Sequence, residues 1–219
     1  MNKPKAAFFD IDHTVIRGSS GRHFLTSAFR KKIIPFKMLC SIPFYYFQYR
    51  FMHPDWENWT KKFPHFAGID RQTVCSISGE CFDVYKKTIF PEIASIIKDY
   101  KEQGCPVYFA TSSIDIFVEP FMDHFEADGL ISSKLEFIDD KTSGGFLGEP
   151  AFGKEKLKKV RQKAEELGIG LHECAFYSDS IHDRPLMETA GFPVAVNPDK
   201  RLKKLALEKN WPIIEPRGK

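Results

Sequence analysis

The chain has 219 residues, 42% of them hydrophobic, with 32 Lys and Arg against 29 Asp and Glu for a net charge of +3. That length suits one α/β domain carrying a sizeable insertion, since domains usually run to roughly 100 to 200 residues, and the hydrophobic fraction supports a real core. So small a net charge excludes nucleic acid as a partner of the whole surface, and any basic patch has to be local.

The first element is the apolar run from Ala6 to Ile11, bounded by Lys5 and Asp12 and broken by Asp10. It reads as a strand buried on both faces of a parallel sheet. The pattern does not resume until about Phe90, so residues 18–87 read as a helical insertion, a cap, on a core made of 1–17 and 88–219. Between His13 and Pro54 this cap has no Asp or Glu. Arg17, just ahead of it, and its own Arg22, Arg30, Lys31, Lys32, Lys37 and Arg50 are interleaved with aromatics from Phe24 to Phe51, and Trp56 and Trp59 are expected to cover its small core. A helix follows with Ile93, Ile96, Ile97 and Tyr100 on one face, opened by Pro91 and closed by Gly104. Pro106 to Ala110 ("PVYFA") is the second strand, and Leu130 to Gly153 reads as a hairpin or long loop. Leu157, Val160, Ala164 and Leu167 define another helix, stopped by Gly168, and "CAFY" (174–177) and "PVAV" (193–196) are further strands, with Trp211 packing the last segment onto the sheet. Strands alternating with helices predict an α/β fold with a doubly wound parallel sheet.

The five cysteines, at 40, 75, 81, 105 and 174, contain no C-x-x-C pair and no zinc-type spacing, and an odd count does not suit a disulfide framework. They read as reduced, mostly buried thiols of a cytoplasmic protein. The N-terminus lacks the charged-then-apolar pattern of a secretory signal. The most apolar stretch, Ile33 to Phe47, is interrupted by Pro35, Lys37 and Pro43 and is shorter than the roughly 20 residues of a spanning helix.

Polar residues gather at the expected strand ends: Asp10 and Asp12 at the first, Thr111, Ser112 and Ser113 after "VYFA", Asp179 and Asp183 after "CAFYS". In open α/β sheets ligands bind at the carboxyl ends of the strands. Acids converging there repel by about 4 kcal/mol per pair at about 4 Å and an effective dielectric near 20, which calls for a cation or raised pKa values. An oxygen-only donor set without His or Cys points to a hard ion such as Mg²⁺, and Mg²⁺ beside a nucleophilic carboxylate suits phosphoryl transfer.

"FFDIDHTVI", "VYFATSS", "FGKEKLKKV" and "YSDSIHDRPLM", in that order, resemble the four motifs of the haloacid dehalogenase superfamily, and within it the phosphoserine phosphatase-like branch with a helical cap after the first motif. The resemblance covers nearly the whole chain and implies a Rossmann-like core and a Mg²⁺-dependent phosphomonoesterase working through an aspartyl-phosphate. It implies Asp10 as nucleophile and metal ligand. Asp12 would be general acid and then base, its backbone carbonyl facing the metal, with Thr111 and the Ser112 amide on the phosphoryl group. Asp179 would be a Mg²⁺ ligand, and Asp183 a ligand or its neighbour. Lys156 would offset phosphoryl charge, with Lys154 as the alternative, and Thr14 would brace the first loop. Lys158 and Lys159 read as a solvated helix face, His182 as solvent-exposed, and His13 as pointing away from Asp10 and Asp12 if the backbone there is extended.

Phosphoserine phosphatases carry a Glu shortly after the first motif, whereas here the first Glu after it is Glu57. That departure moves the expected substrate away from phosphoserine toward another small or amphipathic phosphorylated metabolite. The alternative is a lipid head-group phosphate, such as phosphatidylglycerophosphate or lysophosphatidate, reached by peripheral contact of the basic aromatic cap with the inner membrane. A non-catalytic phospho-acceptor signalling module shares acids after the first strand and a late Lys, but lacks the large insertion and the D-x-D-x-T pattern.

Overall fold

The computed structural model describes residues 3–34 and 66–216. In chain order its elements are β1 (Ala6–Phe9), α1 (Ser20–Arg30), α2 (Arg71–Tyr85), α3 (Pro91–Glu102), β2 (Val107–Ile114), α4 (Asp115–Val118) and α5 (Pro120–Phe125). There follow β3 (Gly129–Ser133), β4 (Leu135–Ile138), β5 (Lys141–Phe146), α6 (Gly153–Glu166), β6 (Cys174–Ser178), α7 (Arg184–Met187), β7 (Phe192–Val196), α8 (Lys200–Lys209) and β8 (Ile213–Ile214). Six strands form one parallel sheet in the order β3-β2-β1-β6-β7-β8, and β4 and β5 make a separate antiparallel hairpin.

All four residues of β1 are fully buried, because the strand has a neighbour on each edge and helices over each face. Its alternation sends Ala7 and Phe9 to one side and Ala6 and Phe8 to the other. The first side continues through Val107 and Phe109 to α1–α5; the second continues through Tyr108 and Phe176 to α6–α8. Phe9 stacks on Tyr177 at 4.3 Å between ring centres, and Phe8 on Tyr108 at 5.2 Å. Aromatic pairs on both faces thus hold β1 against β6 and β2.

The expected helix stops are present: Pro91 sits in the first turn of α3, and Gly104 (φ +68°) and Gly168 (φ +71°) follow α3 and α6 in the left-handed region. Leu167, expected on the buried face, is instead 38% exposed at the end of α6. The second strand runs past Ala110 to Ile114, with a register shift against β3 between these residues. The region from Leu130 to Gly153 holds the edge strand β3 as well as the expected hairpin. Ser132 and Ser133 occupy buried positions in β3, so its pattern reads as loop. Trp211 and Ile213 pack partly buried against the second core cluster, as expected for the last segment.

The helices described within residues 18–87, α1 and α2, share the first core cluster with the sheet, and Phe24 stacks on Phe117 of α4 at 3.8 Å. Trp56, Trp59, Cys40 and the aromatic run from Phe36 to Phe51 lie outside the described residues. Cys81, Cys105 and Cys174 are buried free thiols, and Cys75 is an exposed one. Among the described residues no helix is long and apolar enough to cross a membrane.

Candidate active site

β1 pairs with β2 on one edge and β6 on the other, and the connections leave it in opposite directions, which makes its carboxyl end the switch point of the sheet. Asp10 extends the ladder there, its N–H donating to Tyr177 O at 2.9 Å. The chain then folds back sharply. Ile11 O accepts from the amides of Thr14, Val15 and Ile16 at 3.2, 2.8 and 3.1 Å. His13 sits in this turn at φ +59°, so the backbone is not extended and alternation does not set where its ring points. His13 is exposed, and Thr14 is fully buried with no hydrogen-bond partner for Oγ1 among the described residues.

Lys156 lies one turn into α6 and is 1% exposed. Its Nζ is 3.2 Å from Asp10 Oδ1 and 2.8 Å from Asp183 Oδ2. Lys154, two residues earlier, points to solvent. Asp183 ends a 3-10 turn over Ile181–Asp183 and also accepts from Ser178 Oγ at 2.7 Å. The loop from Asp179 to Asp183 is fixed from behind by Asp199. Its N–H donates to Asp179 O at 2.8 Å and its Oδ2 accepts from Ile181 N–H at 2.9 Å, while Oδ1 caps α8 through the amides of Arg201 (2.7 Å) and Leu202 (3.0 Å).

Asp12 is half-buried, and its carboxylate meets three serines. Its Oδ1 accepts from the Ser20 amide at 2.8 Å, and its Oδ2 from Ser113 Oγ at 2.8 Å and Ser19 Oγ at 3.2 Å. Thr111 is buried in β2, with Oγ1 accepting from Ser113 N–H at 3.2 Å. Ser112 is exposed, and its carbonyl accepts from Ser133 Oγ at 3.0 Å.

Asp10 is pushed up to about 7: burial is the largest cause, Lys156 pulls the value back, and the charges of Asp183 and Asp12 push it further up. Asp179 is likewise raised well above the usual carboxylate range by burial and then by Asp10 and Asp183. Burial alone would lower Lys156, but Asp10 and Asp183 outweigh it and hold the ammonium charged. Asp10, Asp179 and Asp183 therefore surround a single buried cation, an excess of negative charge that a further cation would relieve. Among the described residues no group of three or more His, Cys, Asp or Glu side chains is arranged to hold a metal ion as it stands.

Two expectations are corrected. His182 is half-buried, its ring centre 5.4 Å from that of Phe152. Lys159 is not simply solvated, since its Nζ donates to Glu149 O at 2.6 Å and burial lowers its pKa. Ser19, Ser20, Ser178 and Asp199 were not singled out by sequence reasoning. Ser19 and Asp199 stand where helix N-caps belong, which is a readable signal; Ser178 is a small residue in a buried strand and carries none.

A model of the haloacid dehalogenase-like hydrolase family matches residues 7–188. The chain is 31% identical over 215 residues to a protein of Streptomyces azureus described as an inhibition of morphological differentiation protein, covering 96% of this chain and 78% of that one. It is 28% identical over 216 residues to a phosphoserine phosphatase of Mycobacterium tuberculosis, covering 95% and 70% respectively. A crystal structure of a Bordetella pertussis protein with unknown function superposes with a TM-score of 0.82 at 21% identity, over 98% of this chain and 99% of that one, and so has the same fold.

Proposed function

Because the chain belongs to the haloacid dehalogenase-like hydrolases and is a phosphoric monoester hydrolase of the phosphoserine phosphatase-like kind, we propose that it works with Mg²⁺ through an aspartyl-phosphate on Asp10. The observation that carries this reading is the buried cluster in which Asp10, Lys156 and Asp183 meet from positions 146 and 27 residues apart. Asp12 is held separately beside it.

The donor set fits Mg²⁺. It is made of oxygens only and carries surplus negative charge, which suits a hard ion that keeps several waters and binds a substrate phosphate. Asp10 and Asp179 would hold it, with the Asp12 backbone carbonyl and with Asp183 as a ligand or as the neighbour that holds Lys156. When bound, Mg²⁺ neutralises charge between the acids and the phosphoryl oxygens.

An Asp10 carboxylate oxygen attacks phosphorus while the bond from phosphorus to the ester oxygen breaks. Asp12 gives its proton to that leaving oxygen. A water then attacks the phosphorus of the acyl phosphate, passes its proton to Asp12 and releases inorganic phosphate, which restores both carboxyl groups. Lys156 keeps Asp10 oriented and offsets phosphoryl charge, and the Thr111 hydroxyl and Ser112 amide bind the phosphoryl oxygens.

The relative in Mycobacterium tuberculosis is a phosphoserine phosphatase. The absence of an early Glu here, with Glu57 the first after the motif, favours a small phosphorylated metabolite other than phosphoserine. Residues 18–87 are read as the cap that selects it. The lipid-phosphate alternative rests on basic and aromatic residues that lie mostly outside the described part of the chain. A phosphomonoester panel with phosphoserine, sugar phosphates, nucleotides and glycerophosphate lipids separates these substrates. Hydrolysis is expected to stop with chelator and in Asp10→Asn; activity that persists under either treatment refutes the mechanism.

A further inference from the structure

Asp12 must give a proton and later take one, so its carboxyl needs surroundings that suit both forms. A backbone N–H can only donate. The Ser20 amide, 2.8 Å from Oδ1, therefore fixes that oxygen as an acceptor, and Oδ2 is the oxygen left to hydroxyl partners. Oδ2 faces hydroxyls, which rotate between donor and acceptor roles. Ser113 Oγ is the nearer at 2.8 Å, and it also lies 3.0 Å from Ser20 Oγ, the side chain of a fully buried residue. Ser113 thus has two partners at hydrogen-bond distance: Asp12 Oδ2 and Ser20 Oγ.

We propose that Ser113 is the positioning residue of the acid–base step: its hydroxyl, braced against Ser20 Oγ, holds the Asp12 carboxyl through Oδ2 in line with the leaving oxygen. The inference rests on the reading of Asp12 as proton carrier. Ser20 belongs to the first turn of α1, and its carbonyl accepts from Tyr85 OH of α2 at 2.6 Å. Both helices described within residues 18–87 therefore set where Ser20, and through it Ser113, stands.

The test compares para-nitrophenyl phosphate, whose leaving oxygen departs well without a proton, with phenyl phosphate, whose leaving oxygen needs one more. Asp12→Asn is expected to lose kcat/KM more steeply on phenyl phosphate. Ser113→Ala is expected to show the same selectivity, an about tenfold greater loss on phenyl phosphate, as part of the roughly 10² to 10⁴ that general acid catalysis supplies. Ser113→Thr, which keeps the hydroxyl, is expected to restore the wild-type ratio. Tyr85→Phe removes only a hydroxyl from the second tether; it is expected to shift the ratio in the same direction by less, and reads the proposal if Ser113→Ala folds poorly. Equal losses on both substrates in Ser113→Ala and Tyr85→Phe, or no loss, overturn the proposal while Asp12→Asn remains selective. A non-selective Asp12→Asn removes Asp12 from the acid role, and the proposal with it.

Discussion

Asp10 and Asp12 stand two residues apart and meet different surroundings, because the sharp turn at Ile11 to Ile16 sends one carboxylate toward Lys156 and the other toward three serines. Asp10 is buried in a crowd of acids, and Asp12 is half-buried among neutral donors. Lys156→Met tests the first environment. It leaves Asp10 and Asp183 buried without their cation, and breaking one side of a buried pair typically costs about 3 to 5 kcal/mol. The metal-free variant should show that loss in its denaturant midpoint, and added Mg²⁺ should recover part of it; a midpoint equal to wild type would mean that the cluster does not depend on Lys156. In Asp12→Asn, rapid-quench experiments should find slow formation of the phospho-enzyme and slower release. Full turnover would take the proton-transfer role from Asp12. The two D-x-D acids were legible in the sequence because family motifs mark them, and the lysine was narrowed by its motif to Lys156 or Lys154. The turn at His13, on whose absence the reading of its ring depended, was not legible, because a left-handed φ at a non-glycine residue leaves no mark in a pattern of letters.

Elements supply the site through their ends. β1 and β6 deliver Asp10 and Asp179, the first turn of α6 delivers Lys156, and the capping carboxylate of α8 fixes the loop that carries Asp179 and Asp183. Asp199→Ala removes the cap and the loop contact together. Calorimetric Mg²⁺ titration should then show weaker binding, whereas a purely structural role would lower only the thermal midpoint. The approach of Gly191 to the turn before β6 is tighter still. A Cβ there would lie 1.8 Å from His172 O and 2.5 Å from its carbonyl carbon, both backbone atoms that cannot swing aside. Gly191→Ala should therefore cost about 2 to 3 kcal/mol through forced backbone movement, which differential scanning calorimetry would read as a midpoint lowered by roughly 5 to 10 °C. Helices α3 and α6 were legible from their stops and periodicity. The edge strand β3 was not, because serines take buried places in it and its residue pattern imitates a loop.

At the scale of the molecule the sheet brings residues from distant parts of the chain to one edge, and the electrostatic consequence is global. An acid whose folded pKa lies above its unfolded value stabilises the fold below the unfolded value and loses that contribution as pH rises through the folded one. Asp10 moves from 3.8 to about 7, so the metal-free protein should lose stability across that interval. Mg²⁺ competes with the proton and should raise the thermal midpoint more at pH 8 than at pH 5.5. At a concentration of 100 Kd the gain is about 2.7 kcal/mol, and a shift that does not grow with pH would separate the cation from Asp10. The sequence by itself determined the alternation of strands and helices and the acids that end the strands, since burial on both faces demands continuous apolar runs and polar residues must fall where those runs stop. Only the tertiary structure decided that Lys156 rather than Lys154 enters the acid cluster, that α1 and α2 join the core of the sheet, and that Ser113 and Ser20 meet Asp12. Such pairings join residues far apart in the chain, so their distances depend on how the layers pack and not on local pattern.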